Sequence, residues 1–305
     1  MRFTLKQIAY FVATAETGSI TLASERVNIS QPSISSAITA LEESYGIQLF
    51  IRHHAQGLSL TAEGQRFLRE ARGLLLQAEE VENAAMVISA RVAGPLEIGC
   101  ISTLFPLAIP ELLTQFKQRH EAVRVSALAG NQTELFEHLR TGRISLLLTY
   151  DMALTPDFEF IPLAAVPPYA FVGATHPFAR RRSVTLREMA EDNFLLLDLP
   201  QSRDYFLSLF RQAGVNPNIT GRYQYIDVIR SLVARGEGYS LANAQPKNTA
   251  TLDGRKLSYL ALEDTLRPLI YGVALLKGLR RTPTAEAFIA LCQELLRDKP
   301  LPGTR

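Results

Sequence analysis

The chain has little cysteine, little net charge and no long apolar run. Cys100 and Cys292 are its only thiols in 305 residues, which excludes a disulfide framework and leaves no cysteine pattern for zinc. Both suit a reducing cytosol, where each is expected to be buried as a small hydrophobe. No apolar run reaches the roughly 18 residues of a membrane span. Met1–Lys6 leads into an amphipathic segment, with no apolar core and cleavage site, so a cytoplasmic location is expected. Catalytic signatures are missing too. There is no Gly-x-Ser-x-Gly, no Walker lysine loop and no metal-type His pair on a helix. His53 and His54 are adjacent, so on a strand they point to opposite faces and cannot chelate together. His120, His138 and His176 are scattered. Cys100, on an apolar strand with no neighbouring base, reads as inert. No catalytic residue, metal or cofactor is expected.

Charge does not announce nucleic acid either. Net charge is +2. Residues 1–73 hold seven Lys/Arg against six Glu, far from a basic module. Any argument for DNA must come from pattern.

That pattern is present at the N-terminus. Leu5, Ile8, Val12 and Ala15 recur at helical spacing, with Phe11 widening the stripe, until Gly18 stops it. Ser19 or Thr21 can cap a second helix that carries Leu22, Ala23 and Val27 inward. Ser30 can cap a third, in which Pro32 is tolerated because a first-turn N–H lacks an intrahelical partner. This helix is expected to bury Ile34, Ile38, Leu41 and Tyr45 before Gly46 ends it. Three short helices with a tight turn before the third make a helix-turn-helix. Ile47, Leu49 and Ile51 then alternate, as do Leu58 and Leu60, around a turn at 52–57, which reads as a hairpin wing. In such a unit the third helix lies in the major groove. Ser30, Gln31, Pro32, Ser33, Ser35, Ser36 and Thr39 are its candidate DNA-facing residues, and Arg52 and His53 those of the wing.

Thr61 opens a long helix. Phe67, Ala71, Leu74, Ala78, Val81, Ala85 and Ile88 fall at steps of four and three, a heptad seam expected to form a dimer. The alternative is an amphipathic helix on its own domain core. About 30 residues span about 45 Å, which outruns so small a domain and favours a partner helix. Gly94-Pro95 ends it.

Beyond Leu96 strands alternate with helices, which implies parallel sheet. Strands are expected at 96–101, 123–128, 144–150, 169–173, 194–198, 222–225, 239–242 and 266–276. Helices are expected at 104–120, 133–141, 186–190, 205–213, 228–236 and 284–296. Pro156, Pro162, Pro167 and Pro168 punctuate a crossing between two sets. Ser102-Thr103, Asn131 with Thr133, Ser202-Arg203 and Asp227 sit where strands hand over to helices. Free N–H groups and the helix dipole favour anions there, and ligands of open α/β sheets sit beyond the carboxyl ends of strands. The Ser, Thr, Asn and Asp residues among them are also helix-cap candidates. Jointly they suggest a ligand cleft, with Tyr150 and Tyr169 flanking it. Ser102 and Ser202 would donate hydrogen bonds, and Arg203 would pair with a carboxylate-bearing effector.

The run 23–35 (Ala-Ser-Glu-Arg-Val-Asn-Ile-Ser-Gln-Pro-Ser-Ile-Ser), with Ala40-Leu41-Glu42-Glu43, Gly46, Leu49-Phe50 and Leu60-Thr61-Ala62-Glu63-Gly64, resembles the LysR-type transcriptional regulators. The N-terminal match is specific; the C-terminal match is architectural. The resemblance implies a bacterial, effector-controlled regulator of α/β class with an all-α-type winged helix-turn-helix. That unit would occupy 1–60 and a linker and dimerisation helix 61–91. A two-subdomain, periplasmic-binding-protein-like effector domain would occupy 92–305, with subdomain I at 92–164 and 267–300 and subdomain II at 165–266. It implies double-stranded DNA, RNA polymerase, a small organic effector and a second copy of the chain as partners, in homodimers that assemble into homotetramers, with no membrane. Two departures stand out. Ser36, Ala37 and Thr39 replace basic or amide residues of many relatives, so the recognition helix carries no Lys or Arg before Glu42. Ser145 stands where relatives often have Asp, a local packing change. The rival classes are a solute-binding protein sharing the cleft fold and an α/β enzyme with an accessory DNA module.

Overall fold

A computed structural model describes residues 3–53, 57–89 and 92–304. The chain divides into two compact units, Met1–Ser89 and Ala90–Arg305. In the first, Thr4 and Gln7 form a capping box at the start of α1 (Leu5–Thr17), and Gly18 closes it at φ +64. Ser19 caps α2 (Ile20–Val27) by accepting from the Leu22 N–H, and Asn28 ends it at φ 51. Asn is among the few residues that visit this left-handed region readily. Then come α3 (Gln31–Tyr45), the hairpin β1 (Phe50–His53) and β2 (Gly57–Leu60), and α4 (Ala62–Ser89).

The core of this unit gathers Ile8, Phe11, Ala23, Ile34, Ile38 and Leu41. Leu5, Leu22 and Tyr45, expected inside, are at least one-third exposed. They lie at the margins of their helical stripes, where three short helices cannot cover every apolar position. The alternation expected over 47–51 also fails, because Leu49 and Phe50 are both buried. The strand begins only at Phe50, so Leu49 belongs to the approach and follows no strand period.

The second unit runs β3 (Gly94–Ile101), α5 (Phe105–Arg119), β4 (Val123–Gly130), α6 (Gln132–Arg140), β5 (Leu146–Tyr150), β6 (Phe158–Val166), β7 (Tyr169–Gly173), β8 (Ser183–Val184), α7 (Leu186–Met189), β9 (Asn193–Leu197), α8 (Pro200–Gln212), β10 (Asn218–Tyr223), α9 (Ile226–Ala234), β11 (Tyr239–Ala242), β12 (Leu257–Leu262), β13 (Leu269–Leu276) and α10 (Pro283–Leu296). It holds two sheets, ordered β4-β3-β5-β13-β6 and β10-β9-β11-β7-β12-β8. Both are mixed. β3 pairs in parallel with β4 and β5, whereas β13 runs antiparallel to β5 and β6, and β7 runs antiparallel to β11 and β12. The expected parallel character holds for the βαβ units of both sheets, where β3 pairs with β4 and β5 and β9 with β10 and β11; it fails where β13 and β7 enter in the opposite sense.

Strands β6, β8 and β12 fall outside the strands that the sequence pattern predicts. Pro162 disguises β6, yet β6 is an edge strand, where a missing N–H breaks no ladder. Its register shifts where Pro162 faces Gly272. Among the described residues no helix is long and apolar enough to cross a membrane, and no cluster of His, Cys, Asp or Glu could hold a metal.

Candidate functional site

Two surfaces carry the expected side chains. On α3, Ile34, Ala37, Ile38 and Leu41 face the core. The opposite side presents Gln31, Pro32, Ser33 and Ser36 in the open, with Ser35 and Thr39 half-exposed. Ser30 precedes the helix but makes no cap; its hydroxyl pairs with that of Ser33 at 2.8 Å. A cap accepts from the second or third N–H; Pro32 at the second position has none, and at the third the Ser30 hydroxyl meets the Ser33 hydroxyl in place of its N–H.

The wing is fixed from both ends. The Leu58 N–H donates to the Gly18 carbonyl at 2.8 Å, and Gly57 (φ +87) lies so close to that carbonyl that a Cβ would collide with it. The Glu42 carboxylate accepts from the Leu49 N–H at 2.7 Å and the Phe50 N–H at 3.2 Å, tying the end of α3 to the wing. Arg52 is exposed on β1. The His53 side chain lies outside the described residues.

Two of this unit's cations are spoken for. Glu16 accepts from Arg26 at 2.7 Å and from Arg72 at 3.0 Å. Burial pushes the Glu16 carboxyl up, but the two guanidinium hydrogen bonds and charges outweigh it and hold it below its ordinary value.

The heptad stripe of α4 divides in two. Ala71 is buried, and Phe67 and Leu74 pack on the core of their own domain, so this end is not free for a partner. Ala78 is half-buried and Val81 is 72% exposed. The side chains of Ala85 and Ile88 lie outside the described residues.

In the second unit a cavity of about 350 Å³ opens between the two sheets. Ser102, Thr103, Tyr150, Tyr169, Ser202 and Asp227 all line it. Thr103 shares a hydrogen bond with the Tyr150 phenol, whose pKa burial pushes up. Ser102 donates to the Gly130 carbonyl at 3.0 Å. Its proton is therefore committed within the protein and it offers lone pairs, which corrects its expected role as donor.

Three expected residues stand apart from the cavity. Asn131 caps α6 with Glu134 and lines only a small recess beside it. Thr133 accepts from Gln201 Nε2 at 2.8 Å, a bond joining α6 to α8. Arg203 turns away to Asp198 and Asp204, each at 3.3 Å. The reason is a shift of frame: Pro200 begins α8, five residues before the helix expected at 205, so Arg203 lies within the helix and points from its outer side.

Residues matching the family model for the bacterial regulatory helix-turn-helix protein of the lysR family span 5–65, and those matching the LysR substrate binding domain span 89–297. The chain belongs to the LysR family of transcriptional regulators. It is a DNA-binding regulator with a substrate-binding domain, in a family that is not enzymatic. HinK, a LysR family transcriptional regulator from Pseudomonas aeruginosa, is similar at 37% identity and TM-score 0.66, over 97% of this chain and 99% of its own. The Hca operon transcriptional activator HcaR of Escherichia coli is 28% identical over 96% of this chain and 98% of its own. A full-length OxyR variant from Pseudomonas aeruginosa shares the fold, with TM-score 0.77 at 23% identity, over 100% of this chain and 99% of that one.

In this LysR-type regulator the sequence pattern overlooked Arg230, Tyr205 and Asn243, which all line the cavity. Asn243 donates to the Val166 carbonyl at 3.0 Å and to the Tyr205 phenol at 3.1 Å. Burial pushes the Tyr205 phenol up to about 12. Arg230 carried a usable signal: it interrupts the apolar face of α9, between the buried Ile229 and Val233. Cys100 and Cys292 are both buried, and burial raises both thiols. Neither offers a reactive thiolate.

Proposed function

We propose that the cavity between the two sheets is the effector site, and that a small molecule bound there alters how the protein engages DNA. The observation that carries this reading is the lining itself. Apolar walls surround a few convergent polar groups, Ser102, Thr103, Asp227, Arg230 and Asn243 among them, which is the composition of small-molecule sites. Only Asn131 of the helix-start residues is consumed as a side-chain cap, so capping does not account for Ser202 or Asp227. On this reading the subdomains are 92–164 with 267–300 and 165–266, and the ligand biases their closure.

The DNA contacts fall to Gln31, Pro32, Ser33, Ser35, Ser36 and Thr39 of α3, with Ser30 before it and Arg52 and His53 in the wing. Gln31 suits bidentate pairing with adenine. A second copy of the chain covers α4 from Ala78 onward, through Val81, Ala85 and Ile88, and dimers pair into tetramers. Double-stranded DNA, RNA polymerase and a cytoplasmic setting complete the picture.

Footprinting on DNA flanking the gene tests it. Protection over at least two half-sites is expected, lost when Gln31→Ala and Ser35→Ala are combined. Unchanged protection by the double variant would reject this recognition surface.

A further inference from the structure

Arg230 is a buried cation without a well-placed anion. It is 8% exposed. Its Nη2 donates to the Tyr259 phenol at 2.8 Å and to the Ala250 carbonyl at 3.4 Å, both neutral acceptors. The Tyr259 phenol in turn donates to the Asn248 carbonyl at 2.9 Å, so the phenol is held as an acceptor for the guanidinium. Among the described residues the one carboxylate beside it, Asp227, stands 3.9 Å from Nε, beyond hydrogen-bond distance, and is 60% exposed. A buried charge is stable only when paired and hydrogen-bonded, so this guanidinium is braced but under-compensated.

Its surroundings define what would complete it. Among the described residues lining the cavity, Arg230 is the one cation. The walls facing it are apolar and aromatic: Leu107, Leu197, Phe206, Ile226 and Leu269, with the Tyr169 ring. About 350 Å³ lies at the small end for ligand cavities, enough for one ring and a short substituent. Guanidinium binds carboxylate well because its planar donor fork matches the two oxygens. A dianion such as a phosphate monoester would meet one cation only, with the Asp227 carboxylate one helical turn away on α9.

Resting on the reading of the cavity as the effector site, we propose that Arg230 selects a small apolar monocarboxylate, its carboxylate on the guanidinium and its ring between the two sheets. Arg230 takes the role that the sequence pattern gave to Arg203.

The test uses the full chain and calorimetric titration with benzoate, cyclohexanecarboxylate and trans-cinnamate. Their amides, phenylalanine and phenyl phosphate serve as comparisons. At least one acid should bind saturably and at least tenfold more tightly than its amide. Arg230→Met should weaken that acid at least tenfold and leave the amide unchanged, while Arg230→Lys recovers part of the loss. Tyr259→Phe, which frees the guanidinium but keeps its charge, should weaken the acid several-fold and provides the test if Arg230→Met does not fold. Acid and amide binding alike, an acid indifferent to these variants, preference for phenylalanine or phenyl phosphate, or no binding by any of the three acids would each overturn the assignment. Leu107→Trp, which plugs the cavity, separates the two levels. Acid binding lost in this variant but kept in Arg230→Met retains the cavity and rejects carboxylate selection. Acid binding kept in both rejects the cavity as well.

Discussion

Thr61 and Ser30 stand in equivalent places ahead of their helices and do different things. The Gly64 N–H donates to Thr61 Oγ1 at 2.8 Å, and Thr61 donates to the Gln48 carbonyl at 2.6 Å. Ser30 holds only the Ser33 hydroxyl. Thr61→Ala should therefore cost about 1–2 kcal/mol, and Ser30→Ala less than about 0.5 kcal/mol, read as urea midpoints of the DNA-binding unit in the full chain. Glu16 gives a pH signature. Its folded pKa lies below the ordinary 4.5, so its contribution is fully present above that value and disappears as pH falls through the lower folded value. Glu16→Gln should destabilise the unit by about 1–2 kcal/mol at pH 7, and the gap from wild type should shrink steadily below about pH 4. A gap independent of pH would mean that packing, not charge, dominates there.

At the scale of elements, the two ends of α4 differ in a way that its uniform heptad conceals. Phe67 meets the Phe11 ring edge-on at 5.1 Å, so Phe67→Ala should cost about 3–4 kcal/mol of folding stability. Val81, 72% exposed, contributes nothing comparable within its own chain. Val81→Glu should leave the melting profile nearly unchanged while weakening self-association in sedimentation velocity. The two substitutions lie on one stripe and should have opposite readouts. Boundaries of other elements followed from local signals where caps were present, as at Gly18, Ser19 and Gly46. They failed where proline disguised the element: Pro162 hid an edge strand, and Pro200 marked a helix start that read as a turn.

At the scale of the molecule, charge limits how DNA is held. Arg26 and Arg72 are bound to Glu16, and α3 carries no basic residue. On the proposed reading of the DNA surface, phosphate contacts fall to a few exposed cations per copy, with Arg52 in the wing among them. The log–log salt dependence of operator binding should be no steeper than about −4 per dimer. A slope near −8 would reveal a phosphate-binding surface elsewhere. Affinity then rests on several copies binding together, and dilution should weaken binding more than added salt does.

The winged helix-turn-helix was legible from the sequence because its determinants are local. Apolar residues at helical period, cap residues at helix starts and glycine at helix ends specify Leu5–Tyr45 within a few residues of one another. Six of the nine cleft candidates line one cavity: Ser102, Thr103, Ser202 and Asp227 because strand-to-helix turns share one edge of an α/β sheet, and Tyr150 and Tyr169 because they stand at the ends of strands β5 and β7 on either side of the crossing. What the sequence could not decide was which arginine faces that cavity. Arg203 and Arg230 both follow a strand near the start of a helix, and local pattern treats them alike. Tertiary structure separates them: α8 begins at Pro200 and turns Arg203 outward to Asp198 and Asp204, while α9 turns Arg230 inward to Tyr259. The side chains around Arg230 come from positions as distant as 107 and 269, and only the packing of two sheets against one ligand-sized space brings them together.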